Sequence, residues 1–175
     1  DRLFVGDNSG ALSILGLADG SLLGSVQTDG EVRSAPAATA DGATVIFGSA
    51  DGILRAIDLT GAERWRYDTG SAIYGAPLIA DGRVYAGTAE GELVALDAAS
   101  GALAWRSQPA EYAFEQAPAA GAGALFAGSW DRHAYALDAA TGELRWRAPS
   151  AGSDREGFVA WYYSPADSPP AYAGG

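Results

Sequence analysis

One histidine and no cysteine narrow the chemistry open to this chain. Without thiolates there is no cysteine nucleophile, no disulfide and no thiolate metal site. His133 is the lone imidazole, so it cannot build a His-rich metal centre. A serine hydrolase would need it as a base, yet no serine lies in Gly-x-Ser-x-Gly. Nor is there a Gly-x-Gly-x-x-Gly turn or a phosphate loop. Glu111 and Glu115 flank Tyr112 and Phe114, and paired carboxylates are what glycoside hydrolysis uses. Their spacing along the chain says nothing of their separation in space. His133 reads as an exposed edge residue.

Other candidates stand out only against the repeat that carries them. Val45-Ile46-Phe47-Gly48-Ser49, Val84-Tyr85-Ala86-Gly87-Thr88 and Leu125-Phe126-Ala127-Gly128-Ser129 are copies of one segment, with a weaker copy at Leu3-Phe4-Val5-Gly6-Asp7. Glycines 6, 48, 87 and 128 are 42, 39 and 41 residues apart, and Pro36, Pro77 and Pro118 are each 41 apart. A period near 40 allows helical solenoids or propeller blades. The 24 glycines among 175 residues leave no uninterrupted room for helices of ten residues, whereas strands of five or six fit between them. The expected fold is therefore all-β: a β-propeller of four-stranded antiparallel blades, about four repeats, at 3–33, 34–74, 75–115 and 116–157. In the third repeat we expect strands near 75–80, 83–88, 92–97 and 102–107, with Asp81-Gly82 and Glu90-Gly91 as turns.

The turn before the last strand of each blade is the most specific feature. Ala95-Leu96-Asp97-Ala98-Ala99-Ser100-Gly101…Trp105 is matched by Ala136-Leu137-Asp138-Ala139-Ala140-Thr141-Gly142…Trp146. Aspartate and hydroxyl cap the turn, glycine takes its left-handed position, and the flat indole packs between blades. A copy at Asp58-Leu59-Thr60-Gly61…Trp65 is one residue shorter. In the first copy Gly16 stands for the aspartate and Gly24 for the tryptophan. The pattern Ala-x-Asp-x-x-Thr/Ser-Gly-x-x-x-Trp resembles the tryptophan-docking motif of PQQ-like β-propellers. That family includes quinoprotein dehydrogenases and the propeller lipoprotein of the outer-membrane barrel-assembly machinery.

The resemblance implies a ring of seven or eight blades, so four repeats would be part of one. Residues 1–175 then form one partial propeller domain, in which 158–175 begin a further blade or supply a closing strand. Phe158–Tyr163 could supply that closing strand, and Ala171-Tyr172-Ala173-Gly174 could begin a blade. Opening and closing mid-pattern predicts a piece of something longer. An incomplete ring exposes two sheet faces and is expected to aggregate or pair with another copy. The function implied first is a non-catalytic scaffold that binds or assembles proteins in the bacterial envelope, periplasmic or extracellular, without a cofactor. The alternatives are a fragment of a PQQ-dependent dehydrogenase, with PQQ and calcium, or an accessory propeller of an extracellular enzyme. Such dehydrogenases also use a catalytic aspartate, a metal site and often adjacent cysteines, none of which carries over here.

Within this frame, residues that break or border the repeat are the candidate binding positions. Trp130 stands where other copies have Asn8, Ala50 and Ala89, and Arg132 replaces a turn glycine. Together they either contact a ligand or cover a neighbouring blade. Arg33, Tyr74 and Glu115 precede the innermost strands and border the mouth of the central channel. The net charge of −11 argues against nucleic acid or an anionic membrane surface as partner. No apolar run is long enough to span a membrane.

Overall fold

The computed structural model describes residues 1–150 and 164–173. The first sheet has three strands, β1 (Arg2–Gly6), β2 (Ala11–Gly16) and β3 (Leu22–Gln27). The second is four-stranded: β4 (Ala37–Ala38), β5 (Val45–Gly48), β6 (Ile53–Ile57) and β7 (Glu63–Asp68). The third holds β8 (Leu78–Ala80), β9 (Arg83–Gly87), β10 (Leu93–Asp97) and β11 (Leu103–Ser107). The fourth holds β12 (Ala119–Gly121), β13 (Ala124–Gly128), β14 (His133–Asp138) and β15 (Leu144–Pro149). Every pairing is antiparallel between chain neighbours, so each sheet is a blade. A 3-10 turn at Pro165–Asp167 follows. Among the described residues no helix is long and apolar enough to cross a membrane.

The expected strands of the third blade are present, but the innermost begins at Leu78 rather than residue 75. Pro77 has no N–H for the ladder, so pairing starts only after it. Asp81 and Gly82 both take positive φ, 50° and 75°, the geometry of a two-residue hairpin turn. The proposed closing strand at Phe158–Tyr163 lies outside the described residues. Ala171–Ala173 form no strand.

Side chains alternate along the central strands, and each sheet divides them between its neighbours. In the third blade Val84, Ala86 and Leu96 face the second blade, where they meet Ile46, Leu54, Ala56 and Trp65. Tyr85, Leu93, Ala95 and Trp105 face the fourth, against Leu125, Ala127, Tyr135 and Leu137. Val45, Phe47 and Ile57 of the second blade meet Leu12, Phe4 and Val26 of the first. The core is thus a series of layers between blades, which is why these strands read as nearly continuous apolar runs.

The marker glycines turn out to be seats for a residue from farther along the chain. A Cβ on Gly48 would lie in contact with Ile73 Cγ2 and 2.7 Å from Ile73 Cβ. Val32 occupies the same place against Gly6, and Phe114 against Gly87. Each of these wedges donates its N–H to the residue after the glycine: Val32 to Asp7 O (2.9 Å), Ile73 to Ser49 O (3.1 Å) and Phe114 to Thr88 O (3.0 Å). The carbonyl just before each wedge accepts from the next blade: Glu31 from Ala50, Ala72 from Ala89 and Ala113 from Trp130. Two consecutive residues therefore zip adjacent blades together. We expect Gly48→Ala to cost about 1–3 kcal/mol through overpacking. Gly42→Asn, at φ 66° with nothing within 4 Å of a Cβ, should be nearly silent. Urea unfolding midpoints compare the two, and equal midpoints would refute the seat.

Candidate functional site

The zipper positions the residues that follow it. Because Val32, Ile73 and Phe114 are held alike, the next residues, Arg33, Tyr74 and Glu115, emerge at equivalent places on three blades. They line one polar cavity of about 280 Å³ with Ala35, Ala76 and Gln116. The Arg33 guanidinium lies 4.9 Å from the centroid of the Tyr74 ring, a cation–π contact. Arg33 is exposed, while Tyr74 and Glu115 are half-buried. A cation, a phenol, a carboxylate and an amide in one cleft suit hydrogen-bonded recognition of a polar segment.

Trp130 and Arg132 do not line that cavity. They sit in the turn between β13 and β14, where Trp130 N–H donates to Ala113 O at 3.1 Å. Arg132 holds positive φ (70°), as the replaced glycine would, and its carbonyl accepts from Ser150 at 2.8 Å. Both side chains are half-buried. His133, expected to be exposed, is half-buried too: its Nδ1 is 2.8 Å from Asp131 O and its ring centroid 6.3 Å from that of Tyr135. Tyr135 donates its hydroxyl to Asp131 Oδ2. Burial first, and then the Asp131 carboxylate, raise the phenol's pKa well above its ordinary value, so it stays a neutral donor. The Ser129 hydroxyl beside the trio accepts from Asp131 N–H at 3.2 Å and donates to Tyr112 O at 2.8 Å, so the whole group ties down a turn.

In the second blade Asp51 and Arg55 hold the positions of Asp131 and Tyr135. Arg55 reaches Asp51 Oδ2 at 2.8 Å and Ser49 Oγ at 2.7 Å, and both charged side chains are about nine-tenths buried. Asp58, Asp97 and Asp138 cap their turns as expected: Asp97 Oδ1 accepts from Ser100 N–H (2.8 Å) and Ser100 Oγ (2.7 Å). Trp65 Nε1 donates to Ala98 O and Trp105 Nε1 to Ala139 O, each at 3.1 Å. The indoles lie flat on Gly101 and Gly142, where a Cβ would stand 2.7 Å and 2.6 Å from ring carbons. Trp146, expected to pack in the same way, is 46% exposed, and none of the described residues forms a further strand against it.

A quinone–calcium centre does not fit these side chains. Among the described residues no three carboxylates or histidines are grouped to hold a metal. The cavity at Arg33, Tyr74 and Glu115 offers the single carboxylate of Glu115. What sequence reasoning missed was the wedge set, Val32, Ile73 and Phe114. The signal available was an apolar residue three or four positions before each Ala-Pro pair.

Layered four-stranded blades locked by docked tryptophans define a PQQ-like β-propeller. The family model described as "Outer membrane protein assembly factor BamB" matches residues 8–168, and the chain belongs to that family. The chain is 34% identical to the outer membrane protein assembly factor BamB of Shewanella oneidensis over 116 residues, 60% of this chain and 28% of that protein. The crystal structure of BamB from Moraxella catarrhalis superposes with a TM-score of 0.71 at 26% identity, over 86% of this chain and 46% of that one. The quinohemoprotein alcohol dehydrogenase ADHIIG of Pseudomonas putida HK5 gives 0.72 at 21% identity, over 85% and 32%, a likeness of fold alone. The chain thus spans less than half the length of each of these relatives.

Proposed function

We propose that this chain is a non-catalytic propeller segment, residues 1–175 forming part of a seven- or eight-bladed ring, that binds protein partners during assembly in the bacterial envelope. Membership of a family described as an assembly factor supports this reading most directly. The sites proposed for partner contact are the channel mouth at Arg33, Tyr74 and Glu115 and, separately, the turn that carries Trp130 and Arg132. The absence of a grouped metal-ligand set among the described residues favours this over a dehydrogenase fragment. The setting proposed is periplasmic or extracellular, a reading supported by the outer-membrane description of these relatives.

Two measurements test it. Titration of the purified chain with PQQ and calcium, followed by absorbance, should show no stoichiometric complex; a one-to-one complex would revive the dehydrogenase. A photo-crosslinking amino acid at position 74 or 130 should yield a discrete protein adduct in envelope extracts. The same label at exposed Glu143, on the far turn, should not. Arg33→Ala with Glu115→Ala should reduce the adduct several-fold while leaving the fold intact. Equal labelling from all three positions would sink the mouth as the contact site.

A further inference from the structure

The outer strand of each blade is an edge of its sheet, and three of the four described edges are guarded alike. β7, β11 and β15 each pair on one side only. Opposite Arg55, Val94 and Tyr135 they place Arg66, Arg106 and Arg147, an arginine at the same register in each. β7 adds Glu63, Arg64 and Asp68, while β15 adds Arg145 and ends on Pro149. Charge or proline on an edge deters a further strand, because pairing would bury the charge or lose a ladder bond. In the first blade the corresponding position, opposite Ser13, is Ser25. β3 reads Leu-Leu-Gly-Ser-Val-Gln, with neither charge nor proline. All four outer strands carry the same register shift near their start, so β3 differs in its side chains rather than in its pairing.

Neighbouring blades pack on the faces of a sheet and leave its outer edge open. The third blade shows this, since it is packed between the second and the fourth. β11 nevertheless keeps its edge unpaired, and Leu103 and Ala104 stay exposed. Leu22 and Leu23 hold the same two places in β3 and are 67% and 53% exposed. Thr28 N–H donates to Gly10 O at 2.9 Å, which fixes the phase of the β2–β3 ladder. Antiparallel alternation then turns the N–H and C=O of Gly24 and Val26 toward β2, and those of Ser25 and Gln27 outward. Among the described residues no strand pairs with that outer side.

The charge around the strand selects its occupant. Between Leu3 and Val32 the sequence holds Asp7, Asp19, Asp29 and Glu31 and no basic residue. Arg2, just before this stretch, donates to Leu59 O of the second blade. Asp19 and Asp29 are exposed beyond the two ends of β3. A second copy of β3 would bring like charges together, whereas a strand with basic ends is attracted at both. We propose that β3 receives an extended segment of a partner protein, of about the six-residue length of β3 and flanked by lysine or arginine. Its backbone pairs with Ser25 and Gln27, its apolar side chains lie beside Leu22 and Leu23, and its basic ends face Asp19 and Asp29. The site lies on an outermost strand, apart from the cavity at Arg33, Tyr74 and Glu115, so either contact can fail while the other stands.

The experiment is fluorescence anisotropy of the 175-residue chain with a labelled peptide of alternating valine and threonine, with a lysine at each end. Saturable binding is expected, and added salt should weaken it. Ser25→Arg should weaken it about tenfold or more by restoring the guard. Three other blades carry arginine at that register, so circular dichroism of the variant should match the parent. Asp19→Asn with Asp29→Asn should weaken binding several-fold and flatten its salt dependence. A glutamate-ended peptide should bind several-fold more weakly than the lysine-ended one. The lysine-ended peptide N-methylated along its backbone should not bind, since it cannot complete a ladder. Absence of saturable binding, binding indifferent to Ser25→Arg, or binding that survives N-methylation would each overturn the strand contact. A parent dimer that Ser25→Arg dissolves would overturn it in favour of a second copy. Crosslinking from position 74 is scored separately in the Ser25→Arg variant, where it should be unchanged.

Discussion

Trp105→Ala should lower the unfolding free energy by about 3–5 kcal/mol, and Trp65→Ala by a similar amount. Both indoles are more than nine-tenths buried in interlayers between blades, and each satisfies a carbonyl of the next turn. Removing the ring opens a cavity against Gly101 or Gly142, which cannot fill it because glycine has no side chain to move. It also strips Ala98 O or Ala139 O of its indole donor. Ala139 O keeps bonds from Arg83 at 2.7 Å and Tyr85 at 3.2 Å, whereas Trp65 is the side chain that serves Ala98 O. The polar part of the loss should therefore be larger at Trp65. Trp146→Ala should cost less, about 1–2 kcal/mol, since nearly half of that side chain already meets water. Urea unfolding of the three variants measures this directly. Equal losses at all three positions would mean that the tryptophans stabilise their own strands rather than the layers between blades.

That contrast shows what the sequence could and could not tell. The period of glycines and Ala-Pro pairs was enough to read the blades, because every layer must repeat the same backbone geometry. The docking role of Trp65 and Trp105 was legible from their place after the turn. The exposure of Trp146 was not, because identical residues in a repeat differ only by what stands beside them. Arg33, Tyr74 and Glu115 follow equivalent points of the repeat, and position alone was enough to group these three residues, which line one cavity. The wedges escaped notice because Val32, Ile73 and Phe114 share no residue type, only a place. What holds them is the missing Cβ on the marker glycine of the same repeat, a three-dimensional fact with a one-letter trace. His133 was misjudged for a similar reason. Its edge position suggested exposure, but Asp131 and Tyr135 draw the ring inward.

The second large effect should come from Asp51. Asp51→Ala leaves the Arg55 guanidinium buried without its carboxylate, which should cost about 3–5 kcal/mol. The equivalent positions of the next blade hold Glu90 and buried Val94, so that blade forms without the pair. An Asp51→Ala, Arg55→Val double variant should therefore recover much of the loss, and a double-mutant cycle isolates the coupling. The pair also gives stability a defined pH dependence. Burial alone would raise the Asp51 pKa, but the Arg55 guanidinium, the Ser49 hydroxyl and the Ile53 N–H outweigh it and hold the carboxyl at about 2. Its ordinary value is 3.8, so the folded state binds this proton more weakly than the unfolded state. The contribution is complete above the ordinary value and is lost as pH falls through the folded one. Asp58, Asp97 and Asp138 are lowered likewise, by hydrogen bonds led by Thr60, Ser100 and Arg145 respectively. Unfolding midpoints should accordingly be flat above about pH 4 and fall toward pH 2, with the double variant falling less steeply than the parent. Identical slopes would show that Asp51 titrates alike in the folded and unfolded chains, and that the second blade owes its acid sensitivity to its turn aspartates alone.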